Sequence, residues 1–187
     1  MPLTSHTSRE ALRRALESRE RAEVEEPSAT RAAVLIALFD HEGETHAWLI
    51  RRRDDLRKHP GQVACPGGKM EPGDSSFRHA ALREAHEEIG LPPTHVEVIG
   101  ALDDLYTMTG FVITPVVGFI TAPFSPVADP MEAAHVFSVP LTTFFEKPRG
   151  VFPRTGYQAG EEWIWGATAE IGRRFGELLR EIVTKKS

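Results

Sequence analysis

Cysteine is nearly absent from this chain of 187 residues, because Cys65 is the only one. A single cysteine cannot form an intrachain disulfide, so nothing in the sequence indicates an oxidising compartment. No run approaches the eighteen or so apolar residues that a membrane-spanning helix needs. Residues 1–26 also lack the apolar core of a secretory signal. We therefore expect a soluble, cytoplasmic protein with no membrane partner.

A surplus of positive charge is missing as well. Lys and Arg number 22 against 27 Asp and Glu, which gives a net charge of −5. Non-specific nucleic-acid binding requires a surplus of cations against phosphate, so we expect no nucleic-acid partner. A local basic patch can still hold a small anionic ligand. With 41% hydrophobic and 26% charged residues, the composition is that of a globular domain.

The succession of apolar runs and turn residues predicts an α/β fold in which helices cover a mixed sheet. Residues 7–26 are mostly charged, with a thin apolar stripe, and predict a solvated helix that Pro27 ends. We expect a helical extension over residues 1–27 and one domain over residues 28–187. Strands are predicted over residues 32–39, 46–52, 96–102, 111–120 and 136–139, helices over 76–89 and 166–184, and loop or short strand over 57–73.

The predicted helix 76–89 carries a crowded set of carboxylates. Glu84, Glu87 and Glu88 fall at i, i+3 and i+4, so they share one helix face. Like charges at this spacing destabilise a helix, and anions near its C-terminus oppose the macrodipole. Two interpretations are open: an exposed acidic face that Arg83 relieves, or a site for Mg²⁺ or Mn²⁺, which prefer carboxylate oxygens. The preceding Pro66-Gly67-Gly68 favours the metal site, because glycines let the backbone approach a phosphate ligand closely.

This segment resembles the Nudix box of hydrolases that cleave a diphosphate linked to another moiety. The family pattern is G-x5-E-x7-R-E-x-x-E-E-x-G followed by an aliphatic residue. Asp74 stands where the pattern has Glu, and eight residues rather than seven separate it from Arg83. The matching positions are Gly68, Arg83, Glu84, Glu87, Glu88, Gly90 and Leu91.

The same lengthening is typical of one branch of that family, the coenzyme A pyrophosphatases. Their upstream signature is L-L-T-x-R-S-x3-R-x3-G-x3-F-P-G-G, and residues 48–68 here read WLIRRRDDLRKHPGQVACPGG. Trp48, Ile50, Arg53 and Cys65 replace the expected Leu, Thr, Ser and Phe. The positions in register are Leu49, Arg52, Arg57, Gly61, Pro66, Gly67 and Gly68.

The resemblance implies an α/β/α Nudix sandwich that hydrolyses coenzyme A and its derivatives to 3′,5′-ADP and 4′-phosphopantetheine or its acyl form. It implies a Mg²⁺ or Mn²⁺ ion held by the Gly68 carbonyl, Glu84, Glu87 and Glu88. Catalysis is assigned to Glu84, Glu87 and Arg83. Substrate binding is assigned to Arg52, Arg57, Gly67 and Gly68, with at least one of the two arginines expected near the 3′-phosphate. The partner is a small-molecule diphosphate, and the protein is expected to be a monomer or homodimer.

Several alternatives remain open from the sequence. The general base is Glu84 or Glu87, or else Glu132 on a later loop. Other Nudix substrates are ADP-ribose, a nucleoside triphosphate or a dinucleoside polyphosphate, the last because of Tyr106. A Nudix-fold regulator that binds a nucleotide without turnover is the alternative from another class. Cys65 is expected to be a small apolar strand residue rather than a nucleophile.

Overall fold

The computed structural model describes residues 6–184. Within that range no helix is both long enough and apolar enough to cross a membrane. The helices are α1 (His6–Glu17), α2 (Phe77–Ile89) and α3 (Gly166–Thr184), with short 3₁₀ helices at Pro93–His95 and Leu141–Phe145. The strands are β1 (Thr30–His41), β2 (Glu44–Arg52), β3 (Val63–Ala64), β4 (Gly67–Lys69), β5 (Val96–Ala101), β6 (Leu105–Tyr106), β7 (Phe111–Ile120), β8 (Ala133–Pro140), β9 (Gly156–Ala159) and β10 (Glu162–Trp165).

Two long parallel strands, β1 and β7, form the centre of a mixed sheet, with Thr30 opposite Phe111 and Leu38 opposite Phe119. Both strands carry near-continuous apolar runs, as expected of strands covered on both faces. The sheet order is β3-β2-β1-β7-β5, with β4 paired to β1, β6 to β7 and β8 to β2. Strands β9 and β10 form a separate hairpin, which the sequence patterns did not predict.

Helices cover both faces of the sheet, which confirms the predicted α/β/α arrangement. Alternate residues of β1 point to opposite layers, as the pleat requires. Ala33, Leu35 and Ala37 lie in one apolar cluster with the buried alanines of α2. Ile36 and Leu38 lie in the other cluster, together with apolar residues of α1 and α3.

The N-terminal helix is shorter and less solvated than predicted. It ends at Glu17 rather than near Pro27, and Leu12 and Leu16 are buried in the main apolar cluster. Residues 18–26 leave the helix because acidic side chains of the loop between β5 and β6 bind them: Arg19 pairs with Asp103 and Arg21 with Asp104. The backbone N–H groups of this segment donate to the same two carboxylates. The division into residues 1–27 and 28–187 stays a prediction.

Helix α3 packs closely on the 3₁₀ helix at Leu141–Phe145 because two of its residues lack side chains. A Cβ atom at Gly172 would lie 2.4 Å from Phe144 Cδ1, and one at Gly176 would lie 2.0 Å from the Phe144 carbonyl oxygen. The second contact is to backbone, which cannot rotate away. Gly176 therefore fixes how near α3 lies to the end of β8.

Gly176→Ala is expected to destabilise the protein by about 1–3 kcal/mol, since forced overpacking outweighs the gain of about 1 kcal/mol in helix propensity. The free energy of unfolding in urea measures this change. Gly73→Ala is the control, because a Cβ atom at Gly73 meets nothing within 4 Å, and it should stay within about 0.5 kcal/mol of the parent. An unchanged or raised stability of Gly176→Ala would contradict the packing argument.

Candidate active site

Helix α2 and the short strand β4 hold the segment 67–91 in a fixed arrangement. The Ser76 hydroxyl accepts a hydrogen bond from the His79 N–H, which caps the start of α2. Gly90, with φ of 72°, ends the helix, and its N–H donates to the His86 carbonyl oxygen. Strand β4 pairs with β1, so Gly67 and Gly68 lie beside Val34 and Ala33. Backbone bonds thus fix both ends of the segment.

Glu88 is the buried centre of the site. Its side chain is 3% exposed, and its Oε2 accepts a hydrogen bond of 2.8 Å from the Gly67 N–H. Burial raises the pKa of Glu88 to about 8, and the negative charges of Glu84 and Glu132 add to the effect. Glu88 is therefore mostly protonated near neutral pH unless a cation reaches it.

Glu84 lies one helical turn before Glu88 and against the backbone of β4. A Cβ atom at residue 68 would lie 2.5 Å from Glu84 Oε1, so only glycine leaves room for the carboxylate there. Burial raises the pKa of Glu84, and Arg83 partly offsets the rise. The structure thus brings together Gly67, Gly68, Glu84 and Glu88, and their shared role stays a prediction.

Arg83 links the carboxylates of the site to the loop that precedes α2. Its Nη1 donates to Glu84 Oε1 at 2.9 Å and to Glu87 Oε2 at 3.1 Å. Its Nε and Nη2 donate to the two oxygens of Asp74, and Nη2 also donates to the Lys69 carbonyl oxygen. A guanidinium has five N–H donors, so these bonds occupy all of them. Arg83 therefore orients Glu84 and Glu87 and keeps no donor free for a ligand.

Asp74 takes the place of the glutamate in the family pattern, and its shorter side chain still reaches Arg83. It is buried, and it also contacts the His79 ring and accepts from the Glu71 N–H. The Arg83 guanidinium lowers the pKa of Asp74 to about 2. The sequence marked Asp74 only as a departure from the pattern, although an acidic residue at this point in the box was the signal for its role.

Glu87, predicted both as a ligand and as a catalytic group, differs from its two neighbours. Its side chain is 56% exposed and pairs with Arg83. Among residues 6–184, no three His, Cys, Asp or Glu side chains are arranged so that they could hold a metal ion by themselves. The site therefore offers two half-buried or buried carboxylates, Glu84 and Glu88, beside the backbone of β4, with Glu87 at its edge.

Glu132 lies on a loop that is fastened to the end of α2. The Asp129 N–H donates to the Glu88 carbonyl oxygen at 2.9 Å, and the Arg53 N–H donates to the Glu132 carbonyl oxygen at 3.1 Å. The negative charge of Glu132 contributes to the raised pKa of both Glu84 and Glu88. Glu132 is distant from α2 in the sequence, but these bonds bring its exposed carboxylate to the same site.

The cluster of basic residues 51–58 divides into three environments. Arg51 pairs with Asp54 and Glu162, and Arg53 pairs with Asp55. The Arg52 side chain points toward Glu88. Arg57 and Lys58 are exposed on the loop between β2 and β3, and neither makes an ion pair within the described residues 6–184. The two predicted substrate arginines, Arg52 and Arg57, thus lie in different surroundings.

Cys65 is buried next to this site, and burial raises the pKa of its thiol to about 12. The thiolate is the nucleophilic form of cysteine. Since the thiol stays protonated near neutral pH, the structure agrees with the prediction of a small apolar residue.

Asp74→Asn is expected to lower the free energy of unfolding by about 2 kcal/mol at pH 7, because the lowered pKa of Asp74 reports its stabilisation by Arg83. Because the pKa of Asp74 is lower in the folded state than in the unfolded state, its carboxylate stabilises the fold at pH values above the unfolded-state pKa. This contribution is lost as the pH falls toward 2. The difference between variant and parent should therefore shrink to about half at pH 3. Urea unfolding at pH 7, 5 and 3 measures it.

The matched control is Asp54→Asn, because Asp54 pairs with Arg51 but its side chain is 72% exposed. An exposed pair contributes roughly 0–1 kcal/mol. A loss for Asp74→Asn that is the same at pH 3 and pH 7 would mean that the carboxylate is not stabilised by Arg83.

Comparison with known proteins gives three findings. The family description NUDIX domain matches residues 29–164. A protein of Enterobacter sp. (strain 638) named Uncharacterized Nudix hydrolase NudL is 41% identical over 165 residues, which cover 82% of this chain and 83% of that protein. Among solved structures, a Nudix hydrolase from M. smegmatis, RenU, has a TM-score of 0.57 at 18% identity, covering 84% of this chain and 87% of the other.

A C. elegans Ap4A hydrolase, solved as a binary complex, has a TM-score of 0.55 at 16% identity and covers 83% of this chain and 96% of its own. At such low identity, the likeness to these two solved structures shows a shared fold. The range matched by the family description, residues 29–164, includes residues 67–91 of the site.

Proposed function

The chain belongs to the Nudix hydrolase family, and from that premise we propose that it hydrolyses the diphosphate bond of coenzyme A and its derivatives. The products are 3′,5′-ADP and 4′-phosphopantetheine or its acyl form. Family membership makes the protein a pyrophosphohydrolase, and it supports the box proposed at residues 68–91. Enzymes of this family generally use divalent metal ions.

The observation that carries the coenzyme A proposal is how the upstream signature folds. Its last residues, Gly67 and Gly68, contact Glu88 and Glu84 of α2 directly. Its first arginine, Arg52, lies beside Glu88, and its second, Arg57, is exposed on the adjoining loop. A signature that resembles that of coenzyme A pyrophosphatases therefore surrounds the carboxylates of the site, where it is able to select the substrate.

The donor set suits a hard divalent cation. Mg²⁺ is bound in proteins by one or two carboxylates and completes its shell with water and substrate phosphates. Glu84 and Glu88 supply the carboxylates, and the Gly68 carbonyl is the third proposed ligand, with Glu87 at the edge of the set. The absence of a Cβ atom at Gly68 leaves the space in which Glu84 lies. Mg²⁺ or Mn²⁺ fits these oxygen donors.

A divalent ion bound there would neutralise charge on the diphosphate and lower the pKa of a bound water. Glu88 keeps one carboxylate oxygen on the Gly67 N–H, which fixes its direction. Arg83 holds Glu84 through Nη1 and is itself held by Asp74. These residues therefore pre-orient the ligand oxygens before any substrate arrives.

The general base is better supplied by Glu132 than by Glu84 or Glu87. Glu84 is the proposed ligand nearest Gly68, and Glu87 accepts from Arg83. Glu132 is exposed, carries no ion pair within residues 6–184, and lies near enough for its charge to act on both Glu84 and Glu88. A free carboxylate at the edge of the site is able to take a proton from an attacking water.

The exposed loop between β2 and β3 provides cations for a phosphate that lies away from the reaction centre. The loop is closed at its base, because the Arg52 N–H donates to the Gln62 carbonyl oxygen and the Gly61 N–H donates to that of Arg53. Arg57 and Lys58 lie on it without an acidic partner among the described residues. We assign the 3′-phosphate of coenzyme A to this loop.

A substrate panel tests the proposed function. Purified protein with Mg²⁺ or Mn²⁺ should turn over coenzyme A more efficiently than ADP-ribose, dinucleoside polyphosphates or nucleoside triphosphates, and mass spectrometry should find 3′,5′-ADP and 4′-phosphopantetheine. Glu88→Gln should lower kcat at least about a hundredfold with an unchanged fold, because a ligand carboxylate is lost.

Three outcomes would contradict parts of this account. A preference for ADP-ribose or for a dinucleoside polyphosphate would remove the coenzyme A assignment and leave the broader hydrolase. Tight binding without turnover would indicate a regulator instead. Activity of Glu88→Gln within a few-fold of the parent at saturating metal would show that Glu88 does not bind the metal.

A further inference from the structure

Arg52 differs from the other arginines near the site because its guanidinium has no hydrogen-bond partner among residues 6–184. Its Nε is buried and makes no hydrogen bond, and the side chain as a whole is 25% exposed. The nearest carboxylate oxygen is Glu88 Oε1, which lies 4.0 Å from Nη1 and beyond hydrogen-bond distance. A buried donor without a partner is destabilising, so such a group in a native fold requires an explanation.

The guanidinium N–H groups of the neighbouring arginines donate to acceptors within the protein. Arg51 donates to both oxygens of Asp54. Arg53 donates to Asp55 and to the Pro130 carbonyl oxygen. Arg83 makes the five hydrogen bonds described above. Arg52 is therefore the cation beside Glu88, within residues 6–184, whose N–H groups are free to bind a ligand.

The direction of Arg52 is fixed by the sheet. It is the last residue of β2, where the register against β8 shifts between Arg51 and Arg52. Its backbone N–H donates to the Gln62 carbonyl oxygen. Ile50, two residues earlier and on the same side of the strand, packs in the cluster that α2 covers. The guanidinium thus belongs to the α2 side of the sheet, where the carboxylates are, and not to the exposed loop that carries Arg57.

We propose that Arg52 binds the diphosphate itself, at the oxygens next to the Glu88 carboxylate, and that Arg57 rather than Arg52 serves the outer 3′-phosphate. The planar fork of a guanidinium places two parallel N–H groups on phosphate oxygens, which an ammonium cannot do. Of the two arginines, at least one of which was expected near the 3′-phosphate, this assigns Arg57 to that phosphate and Arg52 to the diphosphate. The inference rests on the proposed function for the identity of the substrate, but the diphosphate contact holds for any diphosphate ligand.

Calorimetric binding of methylenediphosphonate, a diphosphate analogue that resists hydrolysis, tests the contact without turnover. At saturating Mg²⁺, Arg52→Gln should weaken its Kd about ten- to a hundredfold, the range for a charge-assisted hydrogen bond. Arg51→Gln is the matched control and should change Kd less than about threefold, since Arg51 is paired with Asp54 and Glu162. Thermal unfolding of each metal-free variant, and its Mn²⁺ affinity measured alone, show whether the fold and the metal site persist.

Arg52→Lys distinguishes the contribution of the two parallel guanidinium N–H groups from that of the positive charge. It should recover less than half of the lost binding free energy, because lysine lacks the two parallel donors. Full recovery by lysine, or an unchanged Kd in Arg52→Gln, would overturn the proposed contact. A loss of Mn²⁺ affinity that accounts for the whole change in Kd would overturn it too, because Arg52 would then act only through Glu88.

Substrate kinetics then show which arginine binds the diphosphate and which binds the 3′-phosphate. Arg52→Gln should lower kcat/KM about equally for coenzyme A and 3′-dephospho-coenzyme A. Arg57→Gln should instead lower the kcat/KM for coenzyme A, relative to that for 3′-dephospho-coenzyme A, about tenfold. A changed ratio in Arg52→Gln would place Arg52 at the 3′-phosphate. If the parent protein does not hydrolyse coenzyme A, the proposed function fails, while the diphosphonate measurement still decides the role of Arg52.

Discussion

Repulsion among the carboxylates of α2 is the constraint on which the rest of the site depends. Glu84, Glu87 and Glu88 share one helix face, and Glu132 approaches the same region from a distant loop. Each like-charge pair on a helix face destabilises it by roughly 0.2–0.5 kcal/mol, and burial adds a larger penalty for Glu88. The groups that pack against this face of α2 each offset part of its negative charge.

The offsetting groups divide the carboxylates into two kinds. Arg83 binds Glu84 and Glu87 and is anchored by Asp74, so its single positive charge offsets part of their negative charge within the protein. Among residues 6–184, Glu88 has only the Gly67 N–H at short distance and Arg52 at 4.0 Å. Its ionised form is therefore incompletely stabilised by the protein, which raises the pKa of Glu88 and favours binding of a cation. Arg52 beside it keeps free donors, so the site offers a carboxylate for a cation and a guanidinium for an anion, which suits a metal-bound diphosphate.

The sequence predicted those parts of the molecule in which local patterns decide the structure. The shared face of the α2 carboxylates follows from their spacing at i, i+3 and i+4. The helix predicted over 76–89 is observed over Phe77–Ile89. Strand β7 and helix α3 were predicted with the bounds the structure has, because their apolar patterns are long.

The parts that the sequence could not predict depend on tertiary contacts. The helix predicted over 7–26 ends at Glu17, because Asp103 and Asp104, some eighty residues away, bind the segment that follows. The separate environments of Arg52 and Arg57 arise from the pairing of β2 with β8 and from a loop closed by backbone bonds. Five residues apart in the chain, these arginines were indistinguishable by type and spacing.

The most direct test of this account is the number of protons released when Mn²⁺ binds. Because burial raises the pKa of Glu88 to about 8, its protonated form predominates at pH 7 without metal. Ligation requires the carboxylate, so calorimetric titration in two buffers of different ionisation enthalpy should show close to one proton released per Mn²⁺. The release should fall toward zero in Glu88→Gln. Binding of Mn²⁺ to the parent at pH 7 without proton release would contradict Glu88 as the buried ligand at the centre of the site.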